Sequence, residues 1–319
     1  GELGINVERE IRNITEIETL EYHLLSILDN GYNIVGIVDD LDLGWDNSET
    51  SNNLLLGILS AVNYTKSLSE KFHIFVCIRE DVYTLLLTKT QHSDKFRDVE
   101  TIRWTDENLY TLLSERIRYN YQNSVEKIGQ DAFGKVFPQI IGSSNTTKWL
   151  FDRTLGRPRE LLQLARIYTE SNENTQPDTD LLRNAEYKYS NWKLDDLSTE
   201  FIYQYPNLST IFNLMKSKLY RSKYQLKRED FEKIILEIFE ESSCEEDWFC
   251  GLKSSRDTTG FMKILYQIGF IGDFIKGGAG GSKIVYAFQD VHDPVFIEIQ
   301  IHPCFRKAIG TVERIRNKK

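Results

Sequence analysis

The sequence predicts an α/β protein: a partial doubly wound parallel sheet, then a helical lid, then a C-terminal winged-helix domain. Two short apolar runs, Ile34–Val38 and Phe72–Ile78, alternate with helical periodicity through the first third of the chain. No strand pattern follows between about Tyr119 and Gly269. Near the C-terminus, three helical segments precede two β-rich runs that flank Gly277–Gly281. The expected domains are therefore 1–120, 121–207 and 208–319.

Between Glu8 and Asp29, the residues Ile11, Ile14, Ile17, Leu20, Leu24, Leu25 and Leu28 recur at spacings of three and four, one face of a helix. Asn30-Gly31 ends it, since both residues tolerate the left-handed cap conformation. Ile34–Val38 follows as a strand, apolar throughout like a strand covered on both faces of a parallel sheet, and Asp39-Asp40 closes it. A polar loop, Trp45–Asn52, leads to a helix over Asn53–Leu68. The strand Phe72–Ile78 then ends at Arg79, followed by a helix over Glu80–Thr88 and a third strand over Val99–Trp104. Thr105 is the expected N-cap of a helix carrying Leu109, Leu112, Leu113 and Ile117. Beyond Tyr119 come helices broken at Gly142, Gly156 and Ser171–Asp178. Helices at Thr210–Tyr220, Arg228–Glu240 and Thr258–Ile268, then β runs at Phe270–Ile275 and Lys283–Gln289, give the winged-helix order.

A chain of 319 residues accommodates two or three domains. With 40% hydrophobic and 27% charged residues the composition is that of a soluble globular protein, and a cytoplasmic location is expected. The apolar runs are too short to span a bilayer, and no secretory signal pattern is present. Cys77, Cys244, Cys250 and Cys304 form no C-x-x-C pair, which favours buried or incidental thiols over a zinc site or disulfide framework. The net charge of −9 argues against a surface that tracks nucleic-acid phosphates, and the basic run is confined to Arg314–Lys319. The chain begins Gly-Glu-Leu-Gly and its first Met is Met215, so the numbering is expected to start inside a longer protein.

Chemistry concentrates at three places. Ligands of open α/β sheets lie beyond the carboxyl ends of the strands, where Asp39 and Asp40 stand. Asp39 is the candidate Mg²⁺ ligand and Asp40 the candidate activator of water for phosphoryl transfer; the bland alternative is a strand-closing turn. Arg79 ends the neighbouring strand at the same edge and could read a γ-phosphate, or simply pair with Glu80, Asp81 or another nearby carboxylate. In Gly156-Arg157-Pro158-Arg159-Glu160-Leu161-Leu162, a bend, a proline at the first helical position and two arginines bring positive charge to free backbone N–H groups. A plain helix start with solvated arginines is the alternative there.

Residues 34–46 (Ile-Val-Gly-Ile-Val-Asp-Asp-Leu-Asp-Leu-Gly-Trp-Asp), 75–81 and 156–162 together resemble three motifs of one family. It is a bacterial branch of the STAND and origin-recognition-type AAA+ ATPases, whose Walker B reads Asp-Asp-Leu-Asp-x-Gly-Trp. The first segment looks like Walker B, the second like the sensor 1 strand and the third like the sensor 2 motif. The resemblance implies ATP and Mg²⁺ as cofactors, Walker B roles for Asp39 and Asp40, and nucleotide sensing by Arg79 and by Arg157 or Arg159. One departure stands out: G-x-x-x-x-G-K-[ST] is missing. The nearest string, Gly129–Val136, lacks the hydroxyl residue and a preceding strand, while Gly277–Lys283 joins two β runs and reads as the tip of a wing. In the family the phosphate loop lies upstream of Walker B, so it is expected outside this chain; without it ATP binding should be weak.

The expected function is an ATP-dependent switch in which nucleotide held between core and lid biases two domain arrangements, with slow hydrolysis as the reset. A role in bacterial signalling or antiviral defence is what the resemblance implies. Protein contacts or self-association through lid and winged helix are favoured over DNA. The recognition-helix candidate Thr258–Ile268 offers only Lys263 and Gln267, and Glu240, Glu241, Glu245, Glu246 and Asp247 would repel phosphate. Two other readings stay open: a catalytically inactive scaffold and a winged-helix DNA-binding regulator. His292 and His302 stand isolated in sequence, and no Ser-His-Asp or Cys-His constellation can be placed.

Overall fold

The periodic first segment forms one long helix, α1 (Glu2–Asp29), and Gly31 at φ +95° turns the chain out of it. A computed structural model describes residues 2–91, 93–121, 131–172, 176–277, 281–289 and 292–312, the side chains of 2–14 and of Lys95 excepted. The side chains of Ile11 and Ile14, residues 129–130 of the Gly129–Val136 string, residues 173–175 of the break at 171–178, residues 278–280 of the expected wing tip, and the basic run 314–319 lie outside that description. The chain folds as two compact units, 1–101 and 102–319.

After α1 the first unit contains β1 (Ile34–Val38), α2 (Glu49–Leu68), β2 (Phe72–Val76), α3 (Glu80–Lys89) and a 3₁₀ turn at Ser93–Phe96. β1 and β2 pair in parallel from Ile34↔Phe72 to Val38↔Val76. α2 begins earlier than its apolar pattern because Ser48 caps it, the hydroxyl accepting from Ser51 N at 3.2 Å. α2 packs on β2, and Trp45, Leu55, Val82 and Leu86 form a small buried core. The strands were expected to be covered on both faces, yet Val35, Ile37 and Phe75 are 58%, 71% and 59% exposed. Because side chains alternate along a strand and Ile37 pairs with Phe75, these three share one face, and the half-buried positions lie on the other. The expected third strand over Val99–Trp104 does not form: 97–105 carry no regular structure, and Val99, Ile102 and Trp104 lack the strict two-residue alternation that would bury one side. The parallel sheet of the described residues thus has two strands.

The second unit is mostly helical. It runs through α4 (Asp106–Tyr121), α5 (Ala132–Val136), β3 (Ile140–Ile141), β4 (Ser144–Asn145), α6 (Thr146–Phe151), α7 (Pro158–Ser171), α8 (Thr179–Glu200) and α9 (Leu208–Leu219). Then come β5 (Gln225–Lys227), α10 (Arg228–Glu241), α11 (Asp247–Ser255), α12 (Thr258–Gln267), β6 (Ile271–Ile275), β7 (Lys283–Val285), β8 (Glu298–Ile301) and α13 (Pro303–Ile309). Thr105 caps α4 as its sequence predicts, accepting from Asn108 N at 3.2 Å. α4 packs on α5, α6 and α7, so it belongs to the second unit, and the boundary expected at 120 falls at 101/102. No break in the buried core marks 207 either. α8 packs against both α7 and α13, and Ala308 N donates to Ser190 Oγ at 2.9 Å inside the core. The four-stranded sheet has the order β5-β8-β6-β7, antiparallel at every pairing. Its members β5 and β8 escaped the pattern reading because runs of three and four residues are too short to display a period. Phe212 stacks on Phe270 with centroids 5.0 Å apart, joining α9 to the entry of β6.

Among the described residues no helix is long and apolar enough to cross a membrane. Phe212 is 1% exposed at the centre of the second unit's core. Phe212→Ala is expected to lower the unfolding free energy by about 3–5 kcal/mol, read from the urea midpoint at unchanged m-value.

Candidate functional site

The rim beyond β1 and β2 is set by their register. Val38 pairs with Val76, and Cys77 N donates to Val38 O at 2.8 Å, so both strands finish level. Asp39 and Asp40 therefore leave β1 on the same edge at which Arg79 leaves β2. Both aspartates are exposed. Asp39 Oδ1 accepts from Asp40 N at 2.9 Å, which orients that carboxylate, and Asp40 sits in the left-handed region at φ +57°. Aspartate is among the few non-glycine residues that enter this region readily. The turn is held by Leu43 N to Asp40 O and Trp45 N to Asp42 O, both 3.1 Å, and by Trp45, whose Nε1 donates to buried Asn52 at 2.9 Å. Leu41 and Trp45 reach into the small core while Asp39 and Asp40 face outward, so these two apolar residues anchor the acidic turn, and Leu43 is left exposed. Asp46 accepts from Ser48 N at 2.9 Å and Ser51 Oγ at 2.8 Å; the Ser48 hydrogen bonds first, then Ser51, draw its pKa down to about 2.

Arg79 is the N-cap residue of α3, and its guanidinium bridges two carboxylates. Nε donates to Asp81 Oδ1 at 3.0 Å and Nη2 to Asp81 Oδ2 at 2.7 Å, with Asp42 Oδ2 3.6 Å away. Arg79 thus makes the Asp81 pairing its sequence allows and also ties β2's exit to the turn after β1. Among the described residues no group of three or more acidic, histidine or cysteine side chains could hold a metal by itself.

The third motif builds a different environment. Gly156 takes φ +70°, Arg157 is the N-cap of α7 and Pro158 stands at its start, as the sequence predicts. Neither arginine is simply solvated. Arg157 Nη1 contacts both carboxylate oxygens of Glu200 at 2.9 and 2.7 Å, and Arg159 pairs with Asp196. Behind them Glu160, 1% exposed, accepts from Leu155 N and pairs with Lys193 at 2.8 Å. The Lys193 side chain is fully buried, with Asp196 at 3.0 Å and Glu200 at 3.9 Å. Burial alone would depress its ammonium, but Glu160 and Glu200 more than offset that, and the Lys193 pKa is raised. Sequence reading missed this residue. The signal present was Lys193-x-x-Asp196 followed by Glu200, acidic positions three and seven residues along one helical face.

Two further pairings were invisible in the sequence. His302 and Cys304 are both buried, with Nδ1 3.0 Å from Sγ and accepting from Cys304 N at 3.2 Å. Burial, then Arg306 and Arg153, hold the imidazole well below its usual pKa, and burial pushes the thiol well above its own. Both are neutral at pH 7, so the pair caps α13 rather than supplying a thiolate. Asp273, 2% exposed, accepts from His292 Nε2 at 2.9 Å, Val295 N at 3.0 Å and Phe296 N at 2.9 Å, pinning the approach to β8. All four cysteines are free.

Residues 107–198 match the FunZ-associated C-terminal helical domain. The matched span covers less than a third of the chain, from α4 to most of α8, and includes Arg157, Arg159, Glu160, Lys193 and Asp196. Glu200 lies just beyond the segment similar to this FunZ-associated domain. No curated protein and no solved structure matches the chain.

Lys193→Met is expected to destabilise the protein by about 3–5 kcal/mol at pH 7, because Glu160 would remain buried and charged. The double variant Lys193→Met/Glu160→Gln should recover much of that loss in urea unfolding. A raised lysine pKa contributes stability that is full below the unfolded value of about 10.4 and is lost as pH rises through the folded value. Wild-type stability should therefore fall more steeply than that of Lys193→Met above about pH 10.4, as followed by unfolding midpoints across the alkaline range.

Proposed function

We propose that the chain is the Walker B, lid and winged-helix portion of a STAND-type, AAA+-like ATPase, working as a nucleotide-dependent switch with its phosphate-binding loop supplied by residues outside 1–319. The observation that carries this reading is the Val38↔Val76 register, which brings exposed Asp39 and Asp40 to one rim with Arg79. Asp39 would hold Mg²⁺. A magnesium site of this kind needs only one or two carboxylates, because phosphate oxygens and water complete the octahedron, so the residues present fit the ion without a larger acidic cluster. When bound, Mg²⁺ would neutralise charge on the β- and γ-phosphates. Asp40 would orient and deprotonate the attacking water, and Arg79 would exchange its carboxylates for the γ-phosphate. Arg157 and Arg159 are the candidates for a second arginine report on nucleotide state. The helices α9, α10 and α12 with the sheet β5-β8-β6-β7 fit a winged helix that contacts protein. Lys263, on α12, stands 3.8 Å from Asp293 in a pair exposed on both sides.

A catalytically inactive scaffold is the second reading, and one observation favours it. Arg79, Arg157 and Arg159 are each engaged by carboxylates of their own unit.

Asp40→Asn separates the two. Asparagine tolerates the left-handed backbone, so the turn survives the change. In the protein as its gene encodes it, ATP turnover is expected to fall by at least about 10²-fold while Mg·ATP affinity by calorimetry stays unchanged. Turnover equal to wild type would remove the catalytic assignment, and no Mg·ATP binding by the wild-type protein would favour the scaffold.

A further inference from the structure

α4 and α7 enclose a cleft of about 520 Å³ wholly within the second unit, a volume typical of small-molecule sites. Its floor is apolar: Leu113, Ile117, Phe137, Ala165 and Tyr168 line it and are at most 7% exposed. Its polar members are lopsided in charge. Arg116 enters from α4 and Arg159 and Arg166 from α7, while no aspartate or glutamate lines the cleft among the described residues. Arg159 and Arg166 are seven residues apart on one helix, about 10 Å along its axis. None of the described residues forms an ion pair with Arg116. Arg159 pairs with Asp196, which is only 14% exposed, but Arg166 and its partner Glu170 are 69% and 60% exposed, and a pair exposed on both sides exchanges readily for another anion. One acceptor also waits at the cleft's end. Asn172 lines it, and its Oδ1 is buried with no hydrogen-bond donor among the described residues, while Nδ2 is occupied by Gln176 O at 2.7 Å and Tyr168 Oη at 3.2 Å.

We infer that this cleft binds a small organic anion with a planar apolar body: the body lies on the Ile117–Phe137–Tyr168 floor, the anionic group meets Arg116 and Arg166, and a donor of the ligand reaches Asn172 Oδ1. Apolar burial supplies affinity without direction, and the arginines select charge. The site rests on none of the rim residues Asp39, Asp40 and Arg79.

8-Anilinonaphthalene-1-sulfonate is a suitable probe, having a fused aromatic body, one sulfonate and one N–H. N-phenyl-1-naphthylamine is its uncharged counterpart. On the full chain, calorimetry should give saturable binding of the sulfonate at one site. Arg116→Glu/Arg166→Glu is expected to weaken the sulfonate by at least about tenfold and leave the uncharged dye within about twofold. Thr169→Trp, which places an indole at the cleft wall, should weaken both dyes by at least about tenfold. Both variants alter exposed helix positions, and an unchanged circular dichroism melt verifies their folding. Sulfonate binding indifferent to both variants would place the dye elsewhere, such as on the Val35–Ile37–Phe75 face, and overturn the inference. So would equal loss of both dyes in the charge reversal, or no saturable binding at all.

Discussion

The Lys193 ammonium lies out of reach of water, and much of the second unit is arranged to keep it paired. An isolated buried ammonium would lose its proton or unfold its surroundings, since desolvation of one charge costs several kcal/mol or more. Here Glu160, Asp196 and Glu200 surround it, and Arg157 and Arg159 complete a set of three cations and three carboxylates. Glu160 contributes twice, one oxygen meeting Lys193 and the other receiving the backbone N–H of Leu155 just before the Gly156 turn. The start of α7 is thereby fixed to α8. Because α8 also packs on α13 and accepts Ala308 N through Ser190, the same helix carries the constraint to the end of the described chain.

The rim of the first unit follows opposite physics. Asp39 and Asp40 stay in water, and their arrangement comes from backbone geometry: the level ends of two parallel strands, a left-handed residue, and a turn pulled inward by Leu41 and Trp45. Nothing there requires a charge to be buried. Groups so placed remain free to meet a hydrated ion, whereas the α7–α8 cluster satisfies its charges internally. The two regions that look alike in sequence, each a short apolar stretch beside paired charges, differ by the medium that surrounds them.

That difference explains what could be read in advance. The Asn30-Gly31 stop, both parallel strands and the Thr105 cap follow from local rules, and each forms where local chemistry predicts. Asp39, Asp40 and Arg79 were legible as a set because neighbouring parallel strands present their carboxyl ends at one edge. The third strand failed because Val99, Ile102 and Trp104 are merely apolar, without alternation. Lys193 stayed hidden because a lysine in the middle of a helix ordinarily faces solvent, and its decisive partner, Glu160, belongs to another helix. His302 and Cys304, two residues apart, looked incidental until the turn into α13 folded one over the other.

Exposure then decides which cations can respond to a ligand. Arg79, Arg157 and Arg159 have side chains 29%, 46% and 75% exposed, but their partners Asp81, Glu200 and Asp196 are only 33%, 16% and 14% exposed, so each pair is worth more than the about 0–1 kcal/mol of a surface ion pair. A phosphate offering several oxygens to a planar guanidinium can compete for such an arginine, because Glu200 and Asp196 would still have Lys193 beside them at 3.9 and 3.0 Å. Lys193 cannot respond in this way, since freeing it would strand Glu160 in the core. If Arg157 leaves Glu200 for an anion, Lys193 remains to balance Glu160. The buried lysine therefore keeps α7 fixed to α8 through Glu160 when an arginine beside it changes partner.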